Sequence, residues 1–408
     1  MLTSGTAKIQ KKVLKVLTSA QILVGVGSAG TGAAGSLLVS SISKSESLAG
    51  LAQTSGVLGA AAMALPLSRL TQRGGRRLGL SLGYGVGVVG AFVAIVGGTQ
   101  RILFLMLFGT FLLGAASAAG YQARFAAVDL ASEKSRSRQL SFVVWGSTIG
   151  AVAGPNLMEP SGNLAQLLGL PRLVGPYLLA LVTLSLATVV IRLFLRPDPY
   201  LTAMHIREES KDHHPLLPAR RALRLIRGNP KALFAIAAIA VGHAAMVSVM
   251  VMTPIHMAHF DETLTIIGLV ISIHIAGMYA LSPVVGFLSD KFGRIRVIQV
   301  GVLILLFAVF VAGTSAPNDA ATLGLGLFLL GLGWSCTLIA GSALLSESVA
   351  EELRPSAQGA SDLVMNLMGA GGGALAGLII GTMGYGWLCL IAAIPVAILG
   401  VWSLRVKS

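Results

Sequence analysis

Soft metal-ligating side chains recur at helical spacing in two neighbouring apolar segments. Met246 and Met250 stand four residues apart, and so do His274 and Met278. Residues four apart lie on one face of a helix, so the members of each pair are neighbours. Three thioether sulfurs and one imidazole form a soft ligand set, which favours Cu(I) over ions that prefer oxygen, such as Mg²⁺ and Ca²⁺. The four residues therefore predict a binding site for copper.

The two segments run in opposite directions, so the depth of each pair can be compared. Counting about 1.5 Å per residue from the outer helix ends, the methionine pair lies roughly 14 to 20 Å deep, and His274 and Met278 lie roughly 17 to 23 Å deep. All four side chains are expected near the membrane midplane, where transporters bind their solutes. Three further residues at the outer end of the first segment are candidates for the point where metal enters: His256, Met257 and His259.

Other interpretations of the same residues stay open. Methionine commonly fills gaps in hydrophobic packing, and a membrane-buried histidine can relay protons or hydrogen-bond between helices. In a proton-coupled efflux transporter of drugs or other small molecules, His274 would be the proton site and the methionines would be adaptable contacts. A membrane-bound sensor or assembly factor would bind metal without moving it.

The composition excludes a soluble enzyme. Hydrophobic residues make up 54% of the chain and charged residues only 11%, whereas a soluble domain carries roughly 25% charged residues. The net charge of +14 comes from thirty Lys and Arg, which, apart from Lys44, Arg101 and Arg172, avoid every second gap between the apolar segments. This is the positive-inside pattern and differs from the basic face of a nucleic-acid-binding domain. We expect a multi-pass protein of the inner (cytoplasmic) membrane with both termini cytoplasmic and no nucleic-acid partner.

The apolar segments predict an all-α membrane protein with twelve transmembrane helices. Each segment is about the 20 residues that a membrane crossing requires, or longer. The segments are 13–42, 47–68, 78–98, 101–128, 139–159, 173–195, 231–259, 263–289, 295–315, 320–346, 357–382 and 385–405. A charged stretch separates six from six, so the predicted domains are a six-helix bundle over 1–196, a cytoplasmic connector over 197–230 and a second six-helix bundle over 231–408.

The two halves repeat in sequence. Gly75 and Gly293 are 218 positions apart, and so are Arg136 and Arg354. Two independent features at one offset indicate two pseudo-symmetric bundles with a solute site between the halves.

The loop after the eighth segment, Gly-Phe-Leu-Ser-Asp-Lys-Phe-Gly-Arg-Ile-Arg over 286–296, resembles the loop motif of the major facilitator superfamily. The resemblance covers the whole chain in topology, repeat and connector. It implies a two-bundle fold and a conformational latch on the cytoplasmic side. The implied latch residues are Gly286, Asp290, Gly293 and Arg294. The first copy of the motif has Gln72 in place of the aspartate, which puts the latch of the first half in doubt.

The MxxxM and HxxxM sequences on adjacent segments are similar to the paired motif of the CcoA-like bacterial copper importers. This resemblance implies that Met246, Met250, His274 and Met278 bind copper, as Cu(I), during import by alternating access. The copper would supply the assembly of haem–copper oxidases. The expectation is a monomer in the lipid bilayer with copper as its transported substrate, no permanently bound cofactor and a cytoplasmic copper acceptor. No ATP-binding loop or covalent chemistry is implied, so we do not expect an enzyme.

Overall fold

The computed structural model describes residues 4–44, 48, 50–208, 228–258, 264–316 and 319–406. In these ranges every regular element is helical and no strand occurs. Lipid offers no hydrogen-bond partners, so a membrane-crossing backbone must satisfy its N–H and C=O groups within helices. The α-helices are α1 Ser4–Ala29, α2 Thr31–Ser43, α3 Leu51–Thr99, α4 Leu103–Ala126, α5 Arg136–Leu167, α6 Gly175–Phe194, α7 Pro199–Glu208, α8 Pro230–Ala258, α9 Leu264–Tyr279, α10 Ser282–Phe292, α11 Arg294–Thr314, α12 Ala320–Ser348, α13 Arg354–Met383 and α14 Tyr385–Ser403.

All twelve predicted segments fall on these helices. Within the described residues, nine helical stretches are long and apolar enough to cross a membrane. One of them, α3, has 49 residues and contains two predicted segments. The first predicted segment corresponds to α1 and α2, which are separated at Gly30, and the eighth corresponds to α9 and α10.

The chain reverses direction inside α3 at Gly75. This residue has φ +83° and ψ 175°, a conformation that essentially only glycine adopts. Beyond the reversal, a Cβ placed at Gly79 would meet Thr71, so the two arms pack closely. The Asp198 carboxylate accepts a 2.7 Å hydrogen bond from the Arg77 N–H and occupies the space that a Cβ at Gly75 would need. Both conformation and space therefore require glycine here.

We expect Gly75→Ala to lower the apparent melting temperature of the purified protein more than Gly293→Ala does. Both glycines have positive φ, +83° and +100°, so each alanine carries a backbone cost of about 1–3 kcal/mol. Nothing lies within 4 Å of a Cβ at Gly293, whereas the Cβ at Gly75 would displace Asp198. Thermal unfolding followed by tryptophan fluorescence measures both. Equal shifts would contradict a role for the Asp198 contact.

The chain forms two compact units, and each unit is made of three separate stretches of the sequence. The first comprises Met1–Ser132, Gly146–Leu217 and Glu351–Leu363, and the second comprises Glu133–Trp145, Pro218–Ala350 and Val364–Ser408. The first turns of α5 therefore belong to the second unit, and the first turns of α13 belong to the first. The domain boundaries at 196 and 230 stay a prediction, because most of the connector lies outside the described residues.

Each unit is organised around one heavily packed helix. In the first unit, α3 packs against α4 and α6, and α6 also packs against α1. In the second unit, α12 packs against α8, α9 and α11. The predicted metal ligands lie on α8 and α9, so α12 is the element that positions both ligand helices.

Candidate metal and substrate site

His274 on α9 is fully buried, and one of its two ring nitrogens is held by a hydrogen bond. Its Nδ1 lies 2.7 Å from the carbonyl oxygen of Leu327 on α12. A carbonyl oxygen only accepts hydrogen bonds, so Nδ1 carries the proton and, in the neutral ring, Nε2 carries a lone pair. Nε2 is buried and has no hydrogen-bond partner among the described residues. Metal-binding histidines are oriented in this way, with one N–H on a carbonyl and the other nitrogen toward the metal.

Close packing of α9 on α12 brings His274 to this carbonyl. A Cβ at Gly331 of α12 would meet the His274 carbonyl oxygen and the Met278 backbone nitrogen. A Cβ at Gly277 would meet the Phe328 carbonyl group. Small residues allow such backbone approach between membrane helices. Met278 is buried one helical turn from His274, so the predicted i, i+4 pair of α9 exists as one buried face.

The methionine pair of α8 is held separately. Met246 is buried and Met250 is partly buried. Both α8 and α9 pack mainly against α12, and their described residues make far fewer contacts with each other. The two predicted pairs are thus linked through α12, although the helices that carry them are neighbours in the chain.

The link through α12 includes Trp334, which belongs to none of the sequence motifs. Its indole N–H donates a 3.1 Å hydrogen bond to Nδ1 of His243 on α8. On the other side, the Tyr279 ring of α9 stands edge-on to Trp334 with centroids 5.6 Å apart. His243 lies three residues before Met246, and Tyr279 directly follows Met278. This closeness in sequence to the candidate ligands is the feature by which His243 and Tyr279 could have been found from the sequence.

Two of the three candidate residues for metal entry, His256 and Met257, lie within the described residues. The His256 ring stacks on Tyr385 with centroids 4.2 Å apart, and Met257 is buried. His259 lies outside the described residues. Within the ranges that the structure describes, no three His, Cys, Asp or Glu side chains come together as a metal site.

The predicted latch residues meet the first turn of α5 in the second unit. Asp290 accepts hydrogen bonds from the backbone N–H groups of Ser137 and Arg138, at 3.0 and 2.9 Å. The first N–H groups of a helix have no acceptor within the helix and lie at the positive end of its dipole. Both properties favour a carboxylate at this position. Arg294 forms ion pairs of 2.8 Å with both Asp290 and Glu347. Gly286 packs against Ser141 and Ser137, and Gly293 supplies the positive φ between α10 and α11.

The first copy of the motif makes a neutral version of this contact. The Gln72 amide donates to the Ser356 hydroxyl at 2.8 Å and to the Glu352 carbonyl at 3.3 Å, where α13 begins. The substitution of aspartate by glutamine has therefore removed the charge but kept a contact between the loop and the helix start.

Two buried ion pairs lie in the first unit. Arg76 makes a bidentate contact with Asp129 at 2.7 and 3.0 Å and also donates to Gln358 at 2.7 Å. Arg124 pairs with Asp362 at 2.6 Å. Their burial is set by contact with the first turns of α13, which the sequence pattern does not reveal.

The sequence matches the profile of the Major Facilitator Superfamily over residues 17–264 and 244–408. It is 37% identical to the uncharacterised MFS-type transporter YdeG of Bacillus subtilis, over 97% of this chain and 92% of that protein. A second B. subtilis protein, the uncharacterised MFS-type transporter YddS, is 35% identical over 95% of this chain and 89% of that protein. The riboflavin transporter RfnT of Brucella anthropi is 26% identical over 76% of this chain and 74% of that protein.

Solved structures of low sequence identity share the fold. The outward conformation of the transporter FucP has a TM-score of 0.73 at 16% identity, covering 97% of this chain and 99% of that one. The proton:xylose symporter XylE has a TM-score of 0.75 at 15% identity, covering 98% and 96%. These similarities confirm the predicted all-α fold of two six-helix bundles.

Proposed function

This chain belongs to the major facilitator superfamily and is a multi-pass membrane transporter, and on that premise we propose that its cargo is copper, imported as Cu(I). The proposal includes import across the cytoplasmic membrane by alternating access, with both termini cytoplasmic. It also includes release to a cytoplasmic acceptor that supplies haem–copper oxidase assembly. The chain would act as a monomer without enzymatic chemistry.

The observation that carries this proposal is the unpartnered Nε2 of His274. A buried polar atom without a hydrogen bond is costly, and most such atoms in native proteins have partners. A soft metal ion would use this lone pair, and Met278 supplies a thioether one turn away. The hydrogen bond from Nδ1 to Leu327 holds the ring in the tautomer that binds metal.

The separation of the ligand helices suggests an order of events. Cu(I) first binds His274 and Met278 on α9. Met246 and Met250 complete the ligand set when α8 and α9 shift toward each other within the second unit during the transport cycle. Thioethers are neutral ligands, so the ion leaves without protonation of the α8 pair when the helices separate again.

The test replaces both α8 methionines with leucine. Leucine has a similar volume, so packing is nearly kept while the sulfur ligands are lost. We expect the double variant Met246→Leu/Met250→Leu to take up radiolabelled copper about tenfold more slowly, or worse, than the intact protein. The assay uses cells that lack their own high-affinity importer, at equal membrane abundance.

Met106→Leu is the matched control, because Met106 is fully buried in α4, outside the candidate site. It should keep the uptake rate of the intact protein. Wild-type uptake by the double variant would contradict the proposal and leave the α8 methionines as packing residues.

A second candidate cargo is a planar aromatic molecule, carried in exchange for protons as in the efflux alternative. Two observations favour it: the relative RfnT is a riboflavin transporter, and Trp334, Tyr279 and His243 form a ring cluster on which an aromatic solute could stack. Trp334→Leu separates the two candidates. Loss of riboflavin transport with copper uptake retained would favour the aromatic cargo as an additional or alternative substrate.

A further inference from the structure

We propose that exposed cations at one end of the first unit form a binding surface for the headgroups of anionic phospholipids. This basic surface consists of side chains at the start of α1 and around the end of α6: Lys8, Lys11, Lys12, Lys15, Arg192 and Arg196. All six are exposed. The proposal concerns the lipid around the transporter, so it does not depend on which solute is carried.

Four of the cations lie along one face of α1. Positions 8, 11, 12 and 15 follow the i, i+3, i+4, i+7 spacing of a single helical face. The opposite face is buried, since Gln10, Val13 and Leu17 are 4%, 2% and 0% exposed. The Gln10 side chain donates a 2.6 Å hydrogen bond to the carbonyl oxygen of Ala127. This packing fixes the rotation of α1 and holds the four lysines on its outer side.

A hydrogen bond joins the basic face of α1 to the end of α6. The Lys12 ammonium group donates to the carbonyl oxygen of Arg196 at 2.8 Å. The two helices also pack against each other, and Arg192 lies in the last turn of α6. The apolar stretch of α1 begins at Val13 and that of α6 ends at Phe194. The cations therefore gather where both helices leave the membrane.

No carboxylate neutralises these cations in the part of the chain that the structure describes. None of the six forms an ion pair there with Asp or Glu. Asp198 is close in sequence to Arg196, but backbone groups occupy its carboxylate. It accepts hydrogen bonds of 2.7, 3.0 and 3.2 Å from the N–H groups of Arg77, Tyr200 and Leu201. A cluster of cations without counter-ions attracts anions.

The position of the basic surface favours a phospholipid as the source of the anion. Lysine and arginine at the end of a membrane-crossing helix lay their aliphatic stems along apolar surface and place the charge at the headgroups. Next to α1, the short helix α7 has two exposed apolar side chains, Leu201 and Ile206, which are 45% and 47% exposed. A phospholipid layer can bury such side chains, whereas a free phosphate ion cannot.

Native mass spectrometry of the purified full-length protein tests the basic surface. The protein is titrated with phosphatidylglycerol, which is anionic, or with phosphatidylcholine of the same acyl chains, which is zwitterionic. Each cation near an anionic membrane strengthens binding by roughly fivefold. The triple variant Lys8→Gln/Lys11→Gln/Lys15→Gln should therefore bind phosphatidylglycerol about tenfold more weakly, or worse, and bind phosphatidylcholine as the intact protein does. Lys12 is kept because it holds α6.

Lys134→Gln/Lys231→Gln/Lys291→Gln is the matched control, because it removes three exposed lysines from the second unit and gives the same net charge. It should keep the affinity of the intact protein for phosphatidylglycerol. Equal weakening in the two triple variants would show that net charge alone attracts the lipid and would overturn the proposal. Unchanged affinity in the α1 variant would also overturn it, and so would displacement of the lipid by inorganic phosphate at constant ionic strength.

Discussion

Cells that express His274→Ala should take up copper at the background rate, a fall of about tenfold or more from the intact protein. The alanine removes the Nε2 lone pair of His274, which is buried on α9 and has no hydrogen-bond partner among the described residues. It also removes the hydrogen bond to Leu327, so a lost contact between α9 and α12 could by itself reduce activity. Two variants at the same position separate these effects.

His274→Gln has an amide N–H that can still donate to the Leu327 carbonyl, but its oxygen is a poor ligand for Cu(I). We expect it to fail as His274→Ala does. His274→Cys supplies a soft sulfur ligand and should recover part of the uptake. Activity retained by the glutamine variant would identify His274 as a packing residue. Inactivity of all three variants, with normal folding, would favour the proton-relay interpretation.

Asp129→Asn should produce the largest loss of stability among the single substitutions considered. It leaves the Arg76 guanidinium buried with Gln358 and without a carboxylate, and breaking a buried pair typically costs about 3–5 kcal/mol. Arg76 and Asp129 are 1% and 2% exposed. The same loss at the exposed pair Arg172–Glu159, which is 54% and 76% exposed, should cost roughly 0–1 kcal/mol.

Thermal unfolding of the purified variants tests this contrast. The apparent melting temperature should fall sharply in Asp129→Asn and hardly change in Glu159→Gln. The double variant Arg76→Leu/Asp129→Leu should recover much of the loss, because two apolar side chains leave no buried charge. Similar melting temperatures for Asp129→Asn and Glu159→Gln would show that burial does not decide the strength of these pairs.

The fold was largely predictable because a membrane imposes long apolar segments and a bias in basic loops. The repeat of Gly75 and Gly293 was found in the sequence, and the positive φ that both glycines share is a finding of the structure. The breaks at Gly30 and between α9 and α10 could not be predicted, because hydropathy is continuous across them. The first turns of α5 belong to the second unit and those of α13 to the first. This assignment could not be predicted either, because it depends on packing between segments far apart in sequence.

The candidate site was predictable only within each helix. The i, i+4 spacing predicted that His274 and Met278 share one face of a helix, because helical geometry is local; both are buried on α9. Which helix lies beside α9 is a tertiary property, and the structure has α12 there. The partner of Nδ1, the Leu327 carbonyl, is a backbone atom 53 positions away, and no side-chain motif marks it.

The most direct test of the copper proposal is uptake of radiolabelled Cu(I) into sealed proteoliposomes that contain only this purified protein and a Cu(I) chelator in the lumen. If copper is the cargo, the ion should accumulate over time with the intact protein and not with His274→Gln at equal protein content. Accumulation no faster than in protein-free liposomes would contradict copper transport, and equal accumulation by both proteins would contradict the site on α9.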